Sequence, residues 1–99
     1  MDYTQSDTSP KGDKISPLEE ISQIRQAFAK VLATRRLRKR WSQVELGGHS
    51  GLDNSYISRL EKGQMTPTLD VMLRLSKAFE IVPERLMKEV RIELENLKG

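Results

Sequence analysis

Cysteine is absent from the 99 residues of this chain, which rules out a disulfide framework and a cysteine-based zinc site. The single histidine, His49, has Glu45 four residues before it but no second imidazole or thiol with which to hold a metal. Neither a metal nor a cofactor is expected. No uninterrupted apolar run approaches the roughly 18 residues that a membrane span requires. The opening stretch MDYTQSDTSPKGDK lacks the charged-then-apolar layout of a secretory signal, so the expected compartment is the cytoplasm. Strand-like alternation, internal repeats and low-complexity tracts are missing too. No glycine-rich phosphate loop follows a strand, and no serine or cysteine nucleophile has a histidine partner in a recognisable motif. An enzyme is not expected. A chain this small forms one domain with a modest core, a size that often leans on oligomerisation.

Lysine and arginine number 17 against 14 acidic residues, a net charge of +3. Residues 17–41 carry Arg25, Lys30, Arg35, Arg36, Arg38, Lys39 and Arg40 against only Glu19 and Glu20, a local excess of +5. Residues 1–16 and 42–66 each sum to −1, and 67–99 to zero. Charge focused in this way suits a polyanionic partner. The same run also reads as a solvated face complementing the end of a helix dipole.

Residues 1–15, rich in Ser, Thr, Asp, Pro and Gly, read as a disordered arm, and 16–99 as the folding unit. Ser16 is a good N-cap, Pro17 suits a first helical position, and Leu18, Ile21, Ile24, Phe28, Val31 and Leu32 recur at helical spacing. This predicts a first helix to about Arg38, whose first two turns extend beyond the core. Ser42 and Glu45 form a capping box that starts a second helix at Gln43. Gly47 and Gly48 weaken it; a missing side chain at Gly47 lets the next helix approach, whereas Gly48 has no such reason. Gly51 ends it in a left-handed conformation, Asp53 caps a third helix over about 54–62, and Gly63 closes that one. Thr68 caps a fourth helix, and Pro83 opens a fifth over about 83–98. The expected fold is all-α, a compact five-helix bundle.

Two short helices with a tight turn, beside concentrated positive charge, are what places a helix in the major groove of DNA. The wider pattern is Arg36, Ser42-Gln43, Leu46, Gly51-Leu52, the run Tyr56-Ile57-Ser58-Arg59-Leu60-Glu61-Lys62-Gly63, Pro67-Thr68-Leu69 and Leu86. In these residues the stretch 31–87 resembles the Cro/repressor-type, Xre-like helix-turn-helix family, whose domains are lambda-repressor-like. The chain departs from the family in three places. Gly47 stands where alanine is usual, and Arg40 and Glu80 stand where glycine is frequent; each departure costs local stability. The stretch 51–58 also resembles the controller proteins of restriction–modification systems.

The resemblance implies a sequence-specific, double-stranded DNA-binding regulator. Asn54, Ser55, Arg59 and Ser58 would face base edges, with arginine suited to guanine and asparagine to adenine. Gln43, Tyr56, Lys62, Gln64 and Thr66 would lie against the phosphate backbone, and Arg35, Arg38, Lys39 and Arg40 would form the electrostatic footprint. Tyr56 reads equally as a brace for its helix. Arg36 and Glu61 would form a structural ion pair. Trp41 either stacks a flipped base or covers the junction of the first two helices; the second is expected.

Along the fifth helix, Leu86, Val90, Leu94 and Leu97 are spaced four, four and three. Either Leu86 and Val90 finish the monomer core and the remaining helix merely stays soluble, or the stripe beyond Leu86, at Val90, Leu94 and Leu97, buries against a second subunit. A homodimer on an inverted-repeat operator is the expectation, with no small-molecule ligand. The competing reading is an antitoxin-like module, whose arm and long first helix neutralise a protein partner.

Overall fold

The computed structural model describes residues 15–98, so the arm expected over 1–15 lies, Ile15 excepted, outside the described residues. Five helices follow one another: α1 (Pro17–Arg38), α2 (Gln43–Ser50), α3 (Asn54–Glu61), α4 (Leu69–Ala78) and α5 (Pro83–Lys98). The described residues include no strand, and the fold is the all-α bundle expected.

Three helices start on hydroxyl caps. Ser16 Oγ accepts from the Glu19 N–H at 3.1 Å, and the Glu19 carboxylate accepts from the Ser16 N–H in return. Ser42 and Glu45 repeat this box at α2, with bonds of 3.0 and 2.8 Å. Thr68 Oγ1 accepts from the Val71 N–H at 3.2 Å to start α4. Asp53 departs from expectation. It occupies the N-cap position of α3, but its carboxylate takes the Ser55 hydroxyl and no cap bond forms.

Three helices also end alike. After α3 the chain turns through Gly63 at φ 71°, and Gln64 N–H reaches back to Arg59 O at 3.0 Å. Such a six-to-one bond around a left-handed residue is a Schellman ending, which favours glycine. Arg40 (φ 59°) and Glu80 (φ 60°) close α1 and α4 in the same geometry, with Trp41 N–H on Arg36 O and Ile81 N–H on Ser76 O. Each carries a Cβ that glycine would not have, at a cost of about 1 kcal/mol.

Phe28 and Leu32 of α1, Leu46 of α2, Ile57 and Leu60 of α3, Leu75 of α4 and Leu86 of α5 converge in a fully buried core. Val90 joins them, which corrects its assignment to a dimer interface. Leu94 is half-buried against the core, and Leu97 is 44% exposed. A Cβ on Gly47 would stand 2.7 Å from the Leu52 carbonyl oxygen, so the bare backbone there allows the tight turn. At Gly48 an added Cβ meets nothing within 4 Å.

Helix α5 runs antiparallel to α1, pairing Glu89 with Arg35 and Glu93 with Lys30. The first two turns of α1 project past the end of α5, leaving Leu18 79% and Ile21 40% exposed.

Candidate nucleic-acid interface

Helix α3 has two faces. Ile57 and Leu60 are fully buried, which fixes its rotation about its own axis. At 100° per residue, Asn54, Ser55, Ser58, Arg59 and, just past the helix, Lys62 then turn outward. Asn54, Ser55, Arg59 and Lys62 are exposed, and Ser58 is half-buried at the edge of that face. The Ser55 hydroxyl donates to Asp53, so its lone pairs are what it can offer to a base. Tyr56 packs half-buried against the core, the bracing arrangement.

Arg36 of α1 holds the far end of this helix. Its Nε and Nη2 donate to the two oxygens of Glu61 at 2.7 and 2.9 Å, and its Nη1 donates to the Trp41 carbonyl at 2.8 Å. The Gln43 amide donates to the same carboxylate at 3.1 Å. Three helices and the α1–α2 turn therefore share one polar node. Hydrogen bonding to Glu61 holds the Arg36 guanidinium above its ordinary range despite the opposing effect of burial. One N–H of the Gln43 amide is thus engaged inside the protein, leaving its second N–H and the backbone N–H groups at the start of α2 as further donors.

The basic run divides. Arg38 and Arg40 are exposed and form no ion pair among the described residues. Lys39 lies 3.3 Å from Glu80 and 5.5 Å from the centre of the Trp41 ring, an exposed and weak attachment. Arg35 departs from the expected footprint. Its Nε and Nη2 grip both oxygens of Glu89 on α5, with Arg85 on the same carboxylate at 3.2 Å. Those bonds hold the Glu89 carboxyl below the usual glutamate range, Arg35 being the larger cause. Arg35 thereby fastens α1 to α5, and its guanidinium is spent on that pair.

Trp41 lies in the α1–α2 connection, its ring stacked on His49 near the end of α2 at 4.0 Å and close to Phe79, just after α4, at 6.0 Å. Its indole face is thus occupied. His49 is held in that stack, while Glu45 accepts from the Ser42 N–H. Gln64 is exposed in the loop after α3, as is Thr66, whose hydroxyl accepts from Arg25 Nε at 2.8 Å. Sequence reasoning counted Arg25 only as charge. The signal was its spacing: eleven residues before Arg36 is three turns and 20°, the same face of α1.

No helix among the described residues is long and apolar enough to cross a membrane. A family model described as Helix-turn-helix matches residues 32–86, more than half the chain. An uncharacterized HTH-type transcriptional regulator of Haemophilus influenzae is 40% identical over 74 residues, covering 69% of this chain and 76% of its own. Among solved structures, the restriction-modification controller protein C.AhdI of Aeromonas hydrophila is similar at 37% identity and a TM-score of 0.60, across 63% of this chain and 94% of that one. The controller protein C.Esp1396I shares the fold at 24% identity, with a TM-score of 0.64 over 71% of this chain and 90% of its own. The outward face of α3, the basic turn beside it and these relatives agree: the chain belongs to the Cro/repressor-type, Xre-like helix-turn-helix family and is a transcriptional regulator with a DNA-binding domain.

Proposed function

We propose that this regulator binds an inverted-repeat operator as a homodimer, laying α3 in the major groove of each half-site. The observation that carries the reading is the division of α3, with Ile57, Leu60 and Glu61 held inward while Asn54, Ser55, Ser58 and Arg59 line its free side. In this reading Arg59 takes guanine O6 and N7, and Asn54 takes adenine. Arg38, Lys39, Arg40, Lys62 and Gln64, with the first N–H groups of α2 at Gln43, lie along the phosphates.

A second copy docks on the groove between α4 and α5. Leu69, Leu73 and Met87 border it with 75, 48 and 56% of their surface exposed, an apolar patch too concentrated for a surface with no partner. Leu94 lies two turns beyond Met87 on the same stripe of α5, and Leu97 extends the apolar end. Glu84, Lys88 and Arg91 stand on the rim with both signs of charge, which a two-fold axis can bring opposite one another.

Selection from random duplex DNA at near-physiological salt tests the reading. Enrichment of an inverted repeat with half-site centres about 34–36 Å apart is expected. Failure of folded protein to enrich any motif would sink it. Sedimentation of Met87→Glu should show a monomer where the parent chain is a dimer; an unchanged dimer would remove the groove from the interface. One observation favours a second reading, an antitoxin-like module: Leu18 and Ile21 are exposed on the projecting turns of α1. Isolation of a stable one-to-one heterocomplex from the native host would decide for it.

A further inference from the structure

The third turn of α1 is built into the loop that follows α3. Arg25 Nε donates to Thr66 Oγ1 at 2.8 Å, across 41 residues of sequence. Alongside, the chain at Gly63 passes so near α1 that a Cβ there would lie 3.8 Å from the Arg25 carbonyl oxygen. Arg25 and Arg36 point from one face of α1 about 16 Å apart along the helix axis. Arg36 closes on a carboxylate, Glu61, and is spent inside the protein. Among the described residues Arg25 closes only on a neutral hydroxyl, with no carboxylate paired to its charge and no acceptor at its two terminal NH2 groups. The loop it holds carries Lys62 and Gln64, the residues that leave α3 toward the DNA backbone.

We propose that Arg25 is a phosphate-contacting residue: Thr66 orients its guanidinium, whose outer edge takes a backbone phosphate on the flank of α3 remote from Arg38, Lys39 and Arg40. This rests on the operator-binding reading above. Thirteen residues of helix separate Arg25 from Arg38, about 20 Å, which exceeds the roughly 12 Å width of a major groove. The two basic points therefore reach different phosphates. A planar guanidinium suits this task because its fork remains available to a phosphate after one N–H is used by a hydroxyl. Thr66 is then a positioning residue, acting through Arg25.

The test is the salt dependence of affinity for the selected operator and for a random-sequence duplex, measured with the full chain. Arg25→Gln should weaken both duplexes alike and lower the log–log salt slope by about 0.9. Between 50 and 200 mM salt, the affinity loss of the variant should then be about 3.5-fold smaller than that of the parent. Arg25→Lys keeps one charge and should retain the parent slope; Thr66→Val should lower affinity with the slope unchanged. In a methylphosphonate scan of the operator, one neutralised phosphate per half-site should weaken the parent and leave Arg25→Gln unaffected. A parent that binds steeply while Arg25→Gln keeps the same slope and the same methylphosphonate profile overturns the assignment alone. A folded parent that binds neither duplex overturns the operator reading and this assignment together.

Discussion

Consider the node at Arg36 and Glu61 under substitution. Arg36→Met removes a charge bonded to both carboxylate oxygens and to the Trp41 carbonyl, and leaves Glu61 with only the Gln43 amide. The two side chains are 14 and 9% exposed, so solvent cannot replace what is lost. Breaking one side of a pair this buried costs about 3 kcal/mol, because the surviving charge is stranded. In a domain of this size that lowers the melting temperature by about 12–24 °C. Glu61→Leu should cost a similar amount by stranding the guanidinium. The double variant Arg36→Met/Glu61→Leu strands no charge and should cost no more than either single one. Urea unfolding of the four proteins gives a coupling energy of about 3 kcal/mol if this is right. Single-variant costs that add to within about 0.5 kcal/mol would refute the node as the element that orients α3.

Other outcomes follow from single features. Gly48→Ala should stabilise the chain by about 1 kcal/mol in urea unfolding, since its Cβ meets open space, whereas Gly47→Ala should destabilise it by about 1–3 kcal/mol through the clash at Leu52 O. Glu80→Gly should stabilise by about 1 kcal/mol by relieving a left-handed side-chain residue, and the exposed Lys39 pair it removes should subtract little. Because Arg35 depresses the Glu89 carboxyl when folded, that pair's stabilisation is complete above the ordinary glutamate value of 4.5 and is lost as pH falls through the lower folded value. Glu89→Gln should therefore flatten the acid limb of a stability–pH curve, and an unchanged limb would remove the pair as its source. Arg59→Ala should relax preference at one base position of each half-site by about 1–3 kcal/mol, read by repeating the selection, while Lys39→Ala should weaken all sequences alike.

The features legible in the sequence were those written within a few residues of each other. The Ser42–Glu45 box, the Thr68 cap and the left-handed Gly51 and Gly63 each depend on neighbours, and all appear as read. The two departures at Arg40 and Glu80 were legible because they interrupt a familiar ending, and both residues adopt the strained φ that glycine would occupy freely. Asp53 was misread because a local competitor, the Ser55 hydroxyl, takes the carboxylate from the helix N–H groups. Arg35 was misread for the opposite reason, since Glu89 lies 54 residues away and no short spacing announces it. Along α5 the periodicity marked one stripe but not where the monomer core stops, so Val90 was placed on the wrong side of that limit.

Ile57, Leu60 and Glu61 set the pose of α3, while Asn54, Ser55, Ser58 and Arg59 take little part in holding it. In the proposed operator reading, address and socket are thus written in different letters of the same eight-residue helix. Mutation can rewrite the address one residue at a time without loosening the socket, so a duplicated copy of this gene is free to drift toward a new operator while it stays folded. The freedom is uneven. Ser55 shares a hydrogen bond with Asp53 and Ser58 is half-buried, so retargeting should proceed first through Asn54 and Arg59.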